Sequence, residues 1–298
     1  MNIRDWVISM RPKHWIKSGF CVAPLIFSGQ ASDLAAWLQI IPLLAGFCLL
    51  SSGGYLLNDV INLEEDARHP RKCRRPLAAG RLKRVPMIIV GLCLALLGWL
   101  LLHWQYGGGD GLIKWTPLVG LGYFLITVSY SLFLRDLPVF DVLVLGLGFV
   151  SRVLAGAFAL DLGPTVWLLS CTYAIVLLLG FGKRQGEWRV IEQRHQELGK
   201  TRKALKGYTP MLLNVLCGFF ALLAGVLYMA YCMTRPDREL FLLTGIPVIA
   251  GLMSYLRLVW RSKLIDAPED LFLRTPSLLG SVIIWVLLII FIPMIDGA

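Results

Sequence analysis

Two carboxylates and one amide are spaced so that a single helix face could present all three together. Asp59, Asn62 and Asp66 are separated by three and then by four residues, which places them in one polar stripe if the helix continues to about residue 69. Pro70 would stop such a helix, and His69 before it is either a base or, as we favour, a loop residue. Mg²⁺ prefers one or two carboxylates together with phosphate oxygens of a substrate. The spacing therefore predicts a Mg²⁺ site at Asp59, Asp66 and Asn62.

Basic residues follow this acidic stripe directly. Five cations fall within eight positions, and such a cluster beside two acids suits a metal-bridged diphosphate or a phosphate ester. A solvated loop that follows the positive-inside rule is the alternative, but charge bias does not explain the regular spacing of the acids. We therefore favour phosphate binding by this cluster, which consists of Arg68, Arg71, Lys72, Arg74 and Arg75.

A second charged cluster contains two cations and one acid. Lys183 and Glu187 are four residues apart and share a helix face, and Arg184 lies beside Lys183. One acid next to two cations makes a poor metal site but a good clamp for the phosphate of a phosphorylated donor. A positively charged patch at the inner end of a helix is the alternative.

Four further polar residues lie inside or at the edge of apolar segments. Asp141 and Arg152 are eleven residues apart, about three helical turns, so they point in nearly the same direction. A charge at such a depth is costly and usually faces a polar cavity. Arg152 could therefore bind a lipid phosphate or pair with an acid from the second apolar segment. Tyr130 and Arg135 could bind phosphate, or could belong to an interfacial aromatic belt and to a positive-inside loop, respectively.

The elements that must position these residues are apolar helices. The chain has 298 residues, of which 57% are hydrophobic and 16% charged, with a mean hydropathy of +0.68. This composition excludes a soluble globule, a disordered chain and a disulfide scaffold. We predict an all-α polytopic membrane protein, with a single integral membrane domain over residues 1–298, because helices satisfy their own backbone groups in lipid. Nine transmembrane helices should surround a central cavity open to the cytoplasm, at about 18–30, 36–57, 85–103, 112–133, 139–160, 164–181, 211–232, 240–259 and 276–295.

The distribution of Lys and Arg predicts the orientation in the membrane. With nine spans and the N-terminus inside, 25 of the 29 basic residues fall in inner segments and three in outer segments. The long loops, about 58–84 and 182–210, then lie inside and carry the chemistry. We predict a multi-pass protein of the inner (plasma) membrane with its N-terminus and active site in the cytoplasm. The net charge of +10 follows from this topology and from contact with the lipid bilayer, and no nucleic-acid partner is expected.

The acidic stripe resembles a known motif. Asn58, Asp59 and Asp66 match the NDxxDxxxD pattern of the UbiA-type intramembrane prenyltransferase superfamily, and Asn62 stands where that pattern has Asp. Other segments are similar to one branch of the superfamily, the decaprenyl-phosphate phosphoribosyltransferases. They are an RPxxWxK segment at 11–17, an RPxAAG segment at 75–80, a YSLxLK–PV–GFxxRxxAG block at 130–156 and a GKRxxE segment at 182–187.

This resemblance implies a reaction and the residues that carry it. A phosphoribosyltransferase of this branch transfers 5-phosphoribose from 5-phosphoribosyl 1-diphosphate to a polyprenyl (decaprenyl-type) phosphate, with Mg²⁺, and releases diphosphate. The residues implied at the catalytic metal are Asn58, Asp59, Asn62 and Asp66. The implied substrate-binding residues are Lys17, Arg68, Lys72, Arg75, Tyr130, Arg135, Asp141, Arg152, Lys183, Arg184 and Glu187.

Two other functions remain open from the sequence. A prenyltransferase that moves a polyprenyl group from its diphosphate to an aromatic or other small acceptor would use the same first motif. The weak second acidic cluster argues against it, because such enzymes hold their donor with two metal-binding motifs. A transporter that uses Arg152 and Asp141 is less favoured, since the chain lacks paired interrupted helices in corresponding halves. Lipid chain length, the number of metal ions and the oligomeric state stay open.

Overall fold

The computed structural model describes residues 2–68, 72–193, 203–261 and 275–296. Within these ranges every regular element is helical, which confirms the all-α prediction. Short 3-10 segments join the α-helices, and the longest of them covers Pro12–Val22. The α-helices are α1 Ile3–Met10, α2 Ala23–Phe27, α3 Leu34–Ile61, α4 Leu63–Arg68, α5 Arg84–Tyr106, α6 Thr116–Leu132, α7 Phe140–Ala159, α8 Val166–Gln193, α9 Pro210–Met233, α10 Arg238–Leu243, α11 Gly245–Arg261 and α12 Pro276–Asp296.

Seven helical segments of the described chain are long and apolar enough to cross a membrane, so this is a multi-pass membrane protein. They correspond to the second to eighth predicted spans. The ninth predicted span coincides with α12, whose apolar part Pro276–Ile292 is shorter. The first, at 18–30, is instead a 3-10 segment followed by the five-residue helix α2. Pro24 and Gly29 break up this segment, and nine spanning helices are therefore not confirmed for the described residues.

The chain divides into two compact units. One unit contains Met1–Leu25, Ser32–Asp136 and Leu147–Pro164, and the other contains Ile26–Ala31, Leu137–Gly146 and Thr165–Ala298. The helix α7 contributes its beginning to the second unit and its remainder to the first. The single membrane domain, and the central cavity with its cytoplasmic opening, stay predictions.

In the first unit, close packing of α3 against α5 holds the end of α3 that carries the acidic stripe. A Cβ atom at Gly53 would lie 2.5 Å from the carbonyl oxygen of Gly91, and one at Gly98 would lie 2.8 Å from that of Gly46. Only glycine permits this approach, as is usual where membrane helices touch. Leu56, Leu77, Leu82 and Met87 form a buried cluster beneath the site, which anchors residues 76–82 next to α3.

The second unit has its own core around α8, α9 and α11. Aromatic and aliphatic side chains from these helices pack with the start of α7 and with the segment before α9. Phe181 and Phe220 stack there, with ring centroids 5.5 Å apart. This core positions the second charged cluster, which lies on α8.

Candidate active site

The acidic stripe lies on two helices rather than on one. α3 ends at Ile61, and Asn62 leaves the helical conformation at φ −101° and ψ 17° before α4 begins at Leu63. The side-chain amide of Asn62 donates to the carbonyl oxygen of Asn58 at 2.8 Å, and the backbone amide of Asn62 donates to the same oxygen at 3.0 Å. The predicted uninterrupted helix to about residue 69 was therefore wrong. His69 lies outside the described residues.

The two carboxylates of the stripe nevertheless come together. Nη1 of Arg75 lies 3.0 Å from Oδ1 of Asp59, and the same nitrogen contacts Oδ2 of Asp66. Asp59 and Asp66 are 3% and 2% exposed, so both acids are buried beneath the basic residues around them. One guanidinium nitrogen of Arg75 thus contacts both acids. A single cation at the position of this nitrogen could therefore contact both as well.

Arg11 is a second cation at this site, and our prediction of ligands from the sequence missed it. Its Nη2 contacts Oδ1 of Asp59, and its guanidinium lies over the Tyr55 ring, 4.9 Å from the centroid. Burial lowers the pKa of Arg11, against the opposing effect of Asp59. The backbone of Arg11 is left-handed, with φ 55°, which is uncommon for a residue other than glycine. The RPxxWxK resemblance was the signal that could have identified it.

The remaining basic residues of the first loop differ in their contacts. Nζ of Lys72 lies 3.6 Å from Oδ1 of Asp66, and burial lowers the pKa of Lys72 while Asp66 raises it. Arg68 is exposed at the end of α4, and Arg74 is exposed beside Arg75. Arg71 lies outside the described residues.

The residues present fit a Mg²⁺ ion held by two carboxylates and completed by substrate phosphate oxygens. Asp59 and Asp66 already share one cation, and Oδ1 of Asp66 is buried without a hydrogen-bond partner in the described chain. Within the described ranges there is no group of three or more His, Cys, Asp or Glu residues that could hold a metal by itself. Asn62, 9% exposed, supplies an amide where a third acid would otherwise stand.

Two predicted site residues hold helices in place, and two others are half-buried. Nδ2 of Asn58 donates to Oγ of Ser131 at 2.8 Å, which joins α3 to α6. Nη2 of Arg135 lies 2.6 and 2.7 Å from the two carboxylate oxygens of Glu65, so Arg135 holds α4 against the residues that follow α6. Tyr130 is half-buried near the end of α6. Lys17 is half-buried in the 3-10 segment Pro12–Val22.

Arg152 lies in a buried polar cluster within the first unit. Its guanidinium donates to Tyr123 Oη at 2.7 Å, to Ser51 Oγ at 3.1 Å and to the carbonyl oxygen of Gly148 at 2.8 Å. It also lies over the Tyr123 ring, 4.3 Å from the centroid. Arg152 is 4% exposed, and its Nε has no hydrogen-bond partner among the residues described. Its neighbours are hydroxyl groups and rings, so the predicted alternative of a partner acid from the second span is not found in the described chain.

The second charged cluster is an ion-pair network within the second unit. Nε of Arg184 lies 2.8 Å from Oδ2 of Asp141, and its Nη1 contacts Oε2 of Glu187. The Tyr208 hydroxyl donates to Oδ1 of Asp141 at 2.5 Å and accepts from the Val139 amide at 2.6 Å. Burial and the Asp141 carboxylate both raise the pKa of Tyr208, which keeps it a hydrogen-bond donor. Asp141 and Arg184 are fully buried.

The role of Lys183 in this region stays a prediction. The side chain is half-buried on α8, next to Arg184. Of the four site residues predicted here, the structure brings together Asp141, Arg184 and Glu187. Asp141 and Glu187 contact two different nitrogens of Arg184 rather than one shared nitrogen, so this cluster has the contacts of an ion-pair network.

Comparison with known proteins identifies the family. The sequence profile described as the UbiA prenyltransferase family matches residues 20–275. The decaprenyl-phosphate phosphoribosyltransferase of Corynebacterium glutamicum is 29% identical over 218 residues, which cover 72% of this chain and 63% of that protein. The enzyme of the same name from Mycolicibacterium smegmatis is 26% identical over 264 residues, covering 83% of this chain and 79% of that one. The match thus spans less than two thirds of the Corynebacterium protein.

A solved structure supports the same assignment at the level of the fold. The UbiA homologue from Archaeoglobus fulgidus bound to GPP and Mg²⁺ superimposes with a TM-score of 0.70 at 15% identity, over 99% of this chain and 100% of that one. The matching profile covers most of the chain and includes both charged clusters. The chain is therefore a multi-pass membrane protein that belongs to the UbiA prenyltransferase family.

Proposed function

We propose that this protein transfers 5-phosphoribose from 5-phosphoribosyl 1-diphosphate to a polyprenyl phosphate of the decaprenyl type. The observation that carries this proposal is a difference between two clusters: the first cluster, Asp59 and Asp66 with the basic side chains around them, and the second charged cluster on α8. Asp59 and Asp66 both contact one nitrogen of Arg75, whose position a metal can take, whereas Asp141 and Glu187 contact two different nitrogens of Arg184. One metal-type site surrounded by basic side chains suits a phosphorylated sugar donor better than a donor held by two metal-binding motifs. The names of the two relatives support the same reaction.

The donor's diphosphate binds at the first cluster. Asp59 and Asp66, with Asn62, hold Mg²⁺, and Arg75 and Lys72 contact the phosphates. The A. fulgidus structure, solved with GPP and Mg²⁺, supports metal use on this fold. When bound, Mg²⁺ supplies Lewis-acid stabilisation of the leaving diphosphate. The protein's cations orient the donor and neutralise the charge that develops as the bond between the anomeric carbon and the diphosphate oxygen breaks.

The acceptor's phosphate binds at Arg152. Ser51, which contacts Arg152, is eight residues before Asp59 on α3, a separation of about 12 Å along the helix axis. The buried Nε of Arg152 has no partner within the described chain, and it can donate to an anionic group that enters this polar cluster. An acceptor phosphate oxygen attacks the anomeric carbon. Because this nucleophile is already anionic, no general base is needed.

The other predicted site residues have more limited proposed roles. Lys17, Arg68, Tyr130 and Lys183 are proposed as substrate ligands on the strength of their sequence pattern. The ion pairs of Arg135 with Glu65, and of Arg184 with Asp141 and Glu187, favour positioning roles for those side chains. We also propose that the N-terminus and the first acidic cluster face the cytoplasm, which labelling of single cysteines at positions 65 and 74 in intact cells would test.

A direct test offers two substrate pairs to the purified protein in the presence of Mg²⁺. One pair is 5-phosphoribosyl 1-diphosphate with polyprenyl phosphate, and the other is polyprenyl diphosphate with an aromatic acceptor. We expect a lipid-linked phosphoribose and free diphosphate from the first pair, and no product from the Asp59→Asn variant. Product from the second pair only would refute the proposal and favour the prenyltransferase alternative.

A further inference from the structure

Arginine side chains cover both acids of the first cluster. Arg11 and Arg75 contact Asp59, and Arg75 also contacts Asp66. The arginine side chains are 19% and 27% exposed, whereas the carboxylates beneath them are 3% and 2% exposed. A cation that approaches from solvent therefore meets the guanidinium groups before it reaches a carboxylate oxygen.

The charges of this cluster disfavour a divalent cation that arrives alone. Two carboxylates are matched by the cations Arg11, Lys72 and Arg75, so the cluster already carries an excess of positive charge. A bare Mg²⁺ ion would add to that excess within a few ångströms of three cations. A diphosphate that arrives with the metal brings several negative charges, and the displaced guanidinium groups can then bind it bidentately.

We infer that Arg11 and Arg75 are built-in counter-ions that occupy the metal's carboxylate oxygens until the donor arrives and then transfer to the donor's phosphates. The guanidinium nitrogen of Arg75 that contacts both acids takes the place of the metal in the absence of donor. The metal and the diphosphate consequently bind with strong mutual dependence, and Arg11 is a donor-binding residue. This inference rests on the proposed metal–diphosphate site but not on the identity of the sugar donor.

The structure supports an exchange of this kind because the arginines lie on segments outside α3 and α4. Arg11 lies between α1 and the 3-10 segment, where its backbone is held at φ 55°. Arg75 directly precedes the anchored residues 76–82. A guanidinium has five N–H donors, so it can turn from a carboxylate to a nearby phosphate without movement of the helices that carry the acids.

The test measures metal binding without turnover. Mn²⁺, as a spectroscopic substitute for Mg²⁺, is titrated into the full-length protein with and without inorganic diphosphate and followed by electron paramagnetic resonance. Solution binding of Mn²⁺ to diphosphate is measured separately and subtracted. For the unsubstituted protein, we expect diphosphate to tighten Mn²⁺ binding at least about fivefold, the lower end of typical couplings between sites. Equal affinity in both titrations would overturn the inference without recourse to any variant.

Substitutions of the arginines then distinguish this exchange from misfolding of the site. Arg11→Met and Arg75→Met should each tighten the binding of Mn²⁺ alone by about tenfold and weaken the binding of Mn²⁺ with diphosphate, whereas a misfolded site would weaken both. Arg84→Met is the matched control, because it removes the same charge from an exposed side chain at the start of α5, outside both clusters, and should change neither affinity by more than about twofold. Unchanged affinity for Mn²⁺ alone in both variants would refute the inference.

The same experiments distinguish this inference from the proposed function. If the protein turns over 5-phosphoribosyl 1-diphosphate while Mn²⁺ alone binds both variants as it binds the unsubstituted protein, the counter-ion role fails and the function stands. If the opposite changes in affinity are found but only prenyl diphosphates are turned over, the counter-ion role stands and the proposed donor is wrong.

Discussion

Neutralising either acid of the first cluster should nearly abolish turnover. Asp59→Asn and Asp66→Asn keep the shape of the side chain and one acceptor oxygen but remove the negative charge. Each carboxylate contacts Nη1 of Arg75, so a cation at that position interacts with both acids at contact distance. At an effective dielectric constant of about 20, a pair of unit charges about 4 Å apart is worth ~4 kcal/mol.

That energy sets the expected size of the effect. At about 1.36 kcal/mol per tenfold change in rate, each single substitution should lower kcat/KM roughly a thousandfold. Because the two acids act on one shared cation, the double variant should fall within about tenfold of either single variant rather than reach the product of the two effects. Chelation of divalent metal should reduce the unsubstituted protein to a similar level.

The assay is diphosphate release by protein in lipid nanodiscs, with correct folding checked by size-exclusion chromatography and circular dichroism. Glu64→Gln is the matched control, since Glu64 is exposed on α4 two residues before Asp66 and loses the same charge. We expect its activity to stay within about twofold of the unsubstituted protein. Activity within about fivefold in both aspartate variants, or an equal loss in Glu64→Gln, would show that the metal assignment is incorrect.

Three further predictions concern the two charged clusters and the helices that hold them. Gly53→Ala should lower the stability of the protein by about 1–3 kcal/mol, because the added Cβ clashes with α5. Gly122→Ala is the control and should be neutral or stabilising, because open space surrounds the position of its Cβ. Thermal unfolding of both variants in detergent measures the difference. Arg184→Met removes the guanidinium that neutralises the fully buried Asp141, although Tyr208 still donates to that carboxylate, and should cost about 3–5 kcal/mol of stability. Equal stability of this variant and Lys183→Met would count against the ion-pair network. Lys183→Met should keep its stability and raise the donor KM about tenfold or more, and an unchanged KM would exclude Lys183 from donor binding.

Hydropathy and helical periodicity determined much of this protein from the sequence alone. Apolar segments of about 20 residues predict helices because lipid offers no partner to an exposed backbone group, and seven of the nine predicted spans are long apolar helices in the described chain. The spacing of Asp59 and Asp66 predicted their proximity, since residues seven apart return to the same helix face. Both inferences depend only on local geometry, which the order of residues specifies directly.

The tertiary structure determines which cations contact Asp59 and Asp66. Arg11 is 48 residues from its partner Asp59, and Arg135 is 70 residues from Glu65. The break at Asn62 was also hidden from the sequence, because the residues on both sides of it follow a regular helical pattern. Ion pairs between distant segments depend on how helices pack, and no periodicity along the chain encodes that packing. Packing likewise brought Asp141 on α7 to Arg184 on α8, whereas the contact of Arg184 with Glu187 is local, three residues along the same helix.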